Sequence, residues 1–166
     1  MLEKSIIVIV FCFVYWFMCY LNTGTDKKNL LGFRSYPDKV KEKVKKDPIL
    51  INDIPKDPTL IQIFVGNVLL FTIVFLIVGI VMKYTIGFDS NMKCIIFFII
   101  LGETLNLFDL VIIDLLWWRN TERIRFTCVP NKEEYQDPTK HVNSFLRGIY
   151  TFIVVGVLVG WIISII

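Results

Sequence analysis

The stretch Cys94–Trp118, CIIFFIILGETLNLFDLVIIDLLWW, decides how the chain is read. As a helix rising about 1.5 Å per residue, it is long enough to cross a hydrocarbon core about 30 Å thick once. Its middle nevertheless carries Glu103, Asn106, Asp109 and Asp114. At about 3.6 residues per turn, with Glu103 at zero, Asn106, Asp109 and Asp114 fall at about 300°, 240° and 20°. The four share a sector of about 140°, a polar stripe on an apolar cylinder. A carboxylate at the bilayer centre costs about 2.5 to 3.5 kcal/mol on insertion scales, so the stripe is expected to face protein, water or an ion rather than lipid.

Three further apolar blocks lie outside this stretch, Ser5–Leu21, Leu60–Met82 and Phe145–Ile166. Residues that are 55% hydrophobic and gathered into blocks of spanning length exclude an ordinary soluble domain. They predict an all-α integral membrane protein, a single domain over 1–166, whose four transmembrane helices form an antiparallel bundle. The spans are expected at 5–21, 60–82, 94–118 and 145–166, joined by long loops at 22–59 and 119–144. Met1–Leu21 lacks a small-x-small cleavage site and is rich in bulky residues, so it is expected to be a retained span and not a signal peptide.

Charge placement orients the spans. Of the 18 Lys and Arg, nine fall between Asn22 and Thr59 and six between Arg119 and Arg147, leaving Lys4, Lys83 and Lys93 for the opposite side. The positive-inside rule puts both long loops in the cytoplasm, and both termini and the short loop 86–92 outside.

In the first long loop, Ser35 with Asp38 reads as a capping box opening a short helix, Asp38–Lys46, that stops before Pro48. Its lysines fit a solvated loop; an interfacial helix holding anionic headgroups is the alternative. Asp57-Pro58 and Asp137-Pro138 read as N-cap and first helical residue of the second and fourth helices. Arg123–Cys128 reads as an extended segment at the membrane surface, followed by a turn at Pro130-Asn131.

Antiparallel packing of the third and fourth spans brings Asp114 and Arg147 to similar depth, and a buried ion pair is expected there. Asn67 on the second span is a possible hydrogen-bond partner for the stripe, and His141 sits where the cytoplasmic mouth is expected, as a proton shuttle or an ordinary helix-start residue. Gly156, Gly160 and Ser164 form a small-xxx-small ladder for close helix packing, within the chain or in a homodimer through the fourth span. The cysteines, Cys12, Cys19, Cys94 and Cys128, contain no CxxC pair and suggest neither a disulfide framework nor a zinc site.

A single histidine excludes a multi-histidine metal centre within one subunit, and no GxSxG, P-loop or Rossmann fingerprint is present. At GETLNLFDLVIIDLLWW, followed after a basic loop by EEYQDPTKHVNSFLRG, the chain resembles a group of small uncharacterised four-span bacterial membrane proteins. The resemblance covers about Gly102–Gly148 and implies Asn106, Asp109, Asp114, Tyr135, His141 and Gly148 as shared positions; it implies no activity.

The functional expectation is a non-enzymatic one, ion- or proton-linked transport or sensing, with Glu103, Asn106, Asp109 and Asp114 as the site and no cofactor or nucleic acid. An unpaired carboxylate in a low-dielectric site exchanges a proton or binds a cation. Two alternatives stay open: a structural or accessory subunit of a larger membrane complex, and a carboxylate-metal enzyme acting on lipid. The residues do not select an ion.

Overall fold

The structure, a computed structural model, describes residues 2–88 and 90–166; Asp89, in the short loop expected outside, and Met1 lie outside the described residues. Among the described residues every regular element is helical, with no strand. Four helices are long and apolar enough to cross a membrane, as the sequence predicts. α1 is Leu2–Leu21, α2 Asp26–Leu31, α3 Asp38–Val44, α4 Leu60–Thr85, α5 Asn91–Phe108 and α6 Thr139–Ile165. α5 runs directly into a π-helix, Asp109–Trp118, and single 3-10 turns occupy Phe33–Ser35, Ile51–Asp53 and Lys132–Tyr135.

Helix starts differ in detail from the expected caps. α4 is capped by Thr59 and not by Asp57: the Thr59 hydroxyl accepts from Gln62 N–H at 3.2 Å, and the Gln62 carboxamide accepts from Thr59 N–H at 2.8 Å. This reciprocal box satisfies two orphan donors where a lone aspartate satisfies one. α3 starts after Pro37 with no side-chain cap, because Ser35 is taken up in the 3-10 turn. Ahead of α6, Asp137 does act as expected, accepting from Thr139 N–H at 2.9 Å and Thr139 Oγ1–H at 2.6 Å.

The chain forms two compact units. The first comprises the chain up to Asp57 and Phe108–Phe145. The two basic loops, expected to be solvated or to lie on the membrane surface, instead fold together here into a cap with a core of its own. Leu30, Phe33, Tyr36, Val40, Val44, Leu50, Ile124, Phe126, Val129 and Tyr135 are buried together with Trp118. Val40 and Val44 are fully buried, so the apolar edge of α3 packs inward and its lysines cover the outside. Ile124 and Phe126 point into the same core from an irregular segment, not a strand.

Buried hydrogen bonds brace the cap. Tyr36 Oη–H donates to the Ile124 carbonyl at 2.8 Å, and burial pushes this phenol well above its usual range, so it stays a donor. Tyr135 Oη–H donates to the Val129 carbonyl at 2.7 Å and its oxygen accepts from Phe126 N–H at 3.0 Å. Arg123 ties the end of α1 to the cap: its Nη2 donates to the Tyr20 and Thr23 carbonyls at 3.2 and 3.1 Å, and its guanidinium lies 3.9 Å over the Tyr20 ring. Gly24, at φ +104, turns the chain there, and its N–H donates back to the Arg123 carbonyl at 2.9 Å.

The second unit, Pro58–Leu107 and Leu146–Ile166, is built on glycine seams. A Cβ on Gly160 would lie 2.5 Å from Ile95 Cα, and one on Gly156 would lie 2.7 Å from Ile99 N, so the backbones of α5 and α6 nearly touch. Two of the three ladder positions are thus occupied within the chain; Ser164 instead donates to the Trp161 carbonyl at 2.6 Å. Phe152 of α6 sits over Gly102 of α5, Phe71 and Phe75 pack against it, and Phe98 packs on Phe75. Lys83 Nζ donates to the Ile163 carbonyl at 2.9 Å, satisfying an orphan acceptor in the last turn of α6.

Candidate functional site

The polar stripe is divided between the two units. Glu103 and Asn106 belong to the second, where they hydrogen-bond to each other through their side chains. Asn106 is buried against Gly148, whose Cβ, if present, would lie 2.2 Å from Asn106 Oδ1. Only glycine fits there, which makes Asn106 a packing lock between α5 and α6. Glu103 Oε1 is buried without a partner.

Asp109 and Asp114 belong to the first unit, and the π-helix determines how they stand. In an α-helix residues five apart differ by about 140° in direction. In a π-helix the hydrogen bonds run i to i+5, as from Arg119 N–H to the Asp114 carbonyl at 3.4 Å, so residues five apart stack one turn above another. Asp109 and Asp114 therefore share a face more closely than an α-helical wheel allows. They look toward α1, where Tyr15 hydrogen-bonds the Asp109 side chain.

Asp114 takes a partner other than the expected one. His141 Nδ1 lies 2.9 Å from Asp114 Oδ2, and Arg147 is exposed. The reason is the cap. Trp118, held by Tyr36 at a ring distance of 4.9 Å, packs edge-on to the His141 ring at 4.7 Å and seats it beside Asp114. With Nδ1 donating to the carboxylate, a neutral imidazole keeps Nε2 as an acceptor. That Nε2 is buried and has no partner, and His141 is only 3% exposed.

These groups surround a cavity of about 500 Å³. α1 contributes Tyr15 and Cys19, the π-helix Asp109, Ile113, Asp114, Trp117 and Trp118, α6 Lys140, His141 and Ser144, and the cap Lys28, Asn29, Ser35 and Tyr36. The volume falls within the range of small-molecule sites. Both lysines are engaged at the rim: Lys28 Nζ donates to the Leu21 carbonyl at 2.8 Å, and Lys140 Nζ lies 3.0 Å from Asp38. Among the described residues, no three His, Cys, Asp or Glu side chains are placed to hold a metal ion.

Comparison with protein families, with characterised proteins and with solved structures finds no match for this chain. The site therefore rests on its own geometry.

Of the residues singled out from sequence, the structure brings together Asp109, Asp114 and His141 in one unit, and Glu103 and Asn106 belong to the other. Asn67 is exposed on α4 and does not pack within its unit. Tyr15, Cys19, Tyr36 and Trp118 were missed as site residues. For the first two a signal exists: Tyr15, Cys19, Asn22 and Thr23 recur at i, i+4, i+7 and i+8, a polar-capable edge on an apolar span.

Proposed function

We propose that this integral membrane protein carries or senses a proton or small cation through Asp109 and the Asp114–His141 pair. The observation that supports it is a buried imidazole, fixed to a carboxylate through Nδ1, in the wall of a cavity that Asp109 also lines. Imidazole is the side-chain type that exchanges protons near neutral pH, and a second carboxylate, Asp109 with Tyr15, lies one π-turn away to pass a proton or hold a cation. Other titratable groups bordering the cavity are Cys19, Lys28, Tyr36 and Lys140.

The test is proton and cation flux in liposomes. His141→Gln and Asp109→Asn are each expected to lower flux at least tenfold, and Arg147→Gln, at an exposed position, to leave it unchanged. Wild-type flux no greater than in protein-free liposomes, or undiminished flux in both site variants, would remove the transport reading.

The basic cap is placed in the cytoplasm of a bacterial cell and the termini outside, following the positive-inside rule. Cys128 is exposed on the cap while Cys12 and Cys94 are buried, so an impermeant maleimide is expected to label inverted membrane vesicles and spare right-side-out cells. The opposite pattern reverses the orientation.

One observation favours a second reading, an accessory subunit of a larger complex. Asn67 lies exposed within α4 among apolar residues, where a hydrogen bond to another membrane helix satisfies its amide. Co-purification of a second membrane protein, lost in Asn67→Leu, is the expected signature of that role.

A further inference from the structure

We propose that two copies of this chain pair through α4 as a parallel homodimer, in which Gln62 of each copy donates a hydrogen bond to Asn67 of the other. The pairing goes beyond the proton-handling reading and does not depend on it. It also gives Asn67 a different partner from the accessory-subunit reading.

Burial along the helix defines the seam. Phe75, Gly79 and Met82 are the buried residues of α4 and mark the side that packs within the second unit. Opposite them run Gly66, Leu70, Ile73, Ile77, Ile80 and Tyr84, spaced alternately by four and three residues. That alternation is the a/d repeat of a two-helix contact with a shallow left-handed crossing. All six are exposed, and nothing of this chain lies within 4 Å of a would-be Cβ on Gly66.

Lipid can cover the apolar seam, but it cannot satisfy the two carboxamides that flank it. In the same heptad frame Gln62 occupies a g position and Asn67 the e position five residues on, the two places that face each other across a parallel pair. Their hydrogen-bonding capacities match. Gln62 Oε1 already accepts from Thr59 N–H at 2.8 Å and from Thr59 Oγ1–H at 3.2 Å, which leaves its Nε2–H groups to donate. Asn67 is exposed about 10 Å along the helix from Leu60, among apolar residues, with its carboxamide oxygen open to accept. Two copies inserted in the same sense present α4 parallel, so a second copy brings the complement and forms the bond twice. The small-residue ladder of α6 is not available for this purpose, because Gly156 and Gly160 are filled by Ile99 and Ile95 of the same chain.

The experiment is disulfide crosslinking of the full chain in membranes, in a Cys128→Ser background that removes the exposed thiol. Leu70→Cys, Ile73→Cys and Ile77→Cys are each expected to give, on oxidation, a species of twice the 19.4 kDa chain mass. Ile61→Cys and Phe64→Cys, exposed on the same helix but off the seam, are expected to stay monomeric. For the purified chain in detergent, Asn67→Leu is expected to weaken self-association about tenfold, and Asn67→Gln, which keeps a carboxamide, to retain the dimer. Folding is checked by circular dichroism.

No crosslink at any of the three seam positions, equal crosslinking at all five, or undiminished self-association of Asn67→Leu overturns the proposal. Crosslinks from the seam to a protein of another mass also overturn it, and they support the accessory reading of Asn67 instead. None of these outcomes touches the dependence of flux on His141, so the pairing and the proton-handling reading stand or fall separately.

Discussion

Gly160→Leu is expected to drive α5 and α6 apart and to lower stability by the upper part of the about 1–3 kcal/mol typical of overpacking, or more. A Cβ at position 160 would meet Ile95 Cα and Cγ1, both at 2.5 Å, and Ile95 N at 2.9 Å. The backbone atoms cannot rotate out of the way, so one helix must move as a body. Such a shift also disturbs the Phe152 ring over Gly102 and the Asn106 amide over Gly148. Thermal unfolding in detergent measures the loss. Gly66 supplies the control, because nothing lies within 4 Å of its would-be Cβ. Gly66→Ala is expected to be neutral or to gain about 0.5–1 kcal/mol from reduced backbone freedom. Equal melting of Gly160→Leu and wild type would mean that the two helices do not approach as closely as described.

Tyr36→Ala is expected to unfold the cap while leaving the spanning helices in place, at a cost of about 3–5 kcal/mol, the range for emptying a large aromatic site. The Tyr36 ring is 2% exposed and lies 4.9 Å from both Trp118 and Phe126, while its hydroxyl supplies the Ile124 carbonyl. Tyr36→Phe keeps the ring and loses one hydrogen bond, for about 1 kcal/mol. Limited trypsin digestion reads the difference, since Lys39, Lys41, Lys43, Lys45 and Lys46 flank or lie on α3, whose valines are locked in the same core. Rapid cleavage there in Tyr36→Ala, and slow cleavage in Tyr36→Phe and wild type, is the expected pattern. Loss of the cap also removes the ring that seats Trp118 against His141, so the alanine variant should forfeit flux as well.

The spans were legible because apolar run length against bilayer thickness is a strong signal: Ser5–Leu21 and Leu60–Met82 sit inside observed helices, and Phe145–Ile166 passes the end of its helix by one residue. The glycine ladder was legible for a related reason: Gly156 and Gly160 recur at helical spacing in an otherwise bulky span. The cap was not. Val40, Val44, Ile124 and Phe126 are scattered among lysines and arginines with no sustained period, and the bonds that join them reach 88 residues along the chain, as from Tyr36 to Ile124. The Asp114 partner was misassigned because depth along a helix says nothing about direction around it, and the expected wheel assumed α geometry for a segment that is π-helical. His141 was recognised as a mouth residue, but its orientation depends on Trp118, a ring that reads from sequence as an ordinary interfacial anchor.

The clasp of Arg123 on the end of α1 bears on the order in which the protein is made. The Tyr20 and Thr23 carbonyls receive their donors from a residue 103 and 100 positions downstream. While the ribosome is still adding α4 and α5, the end of the first helix has no guanidinium to meet and the lysine-rich segment behind it has no Ile124 or Phe126 to fold around. The first loop therefore cannot close until the segment after the third span has been made, and closing the cap is a late step of biogenesis.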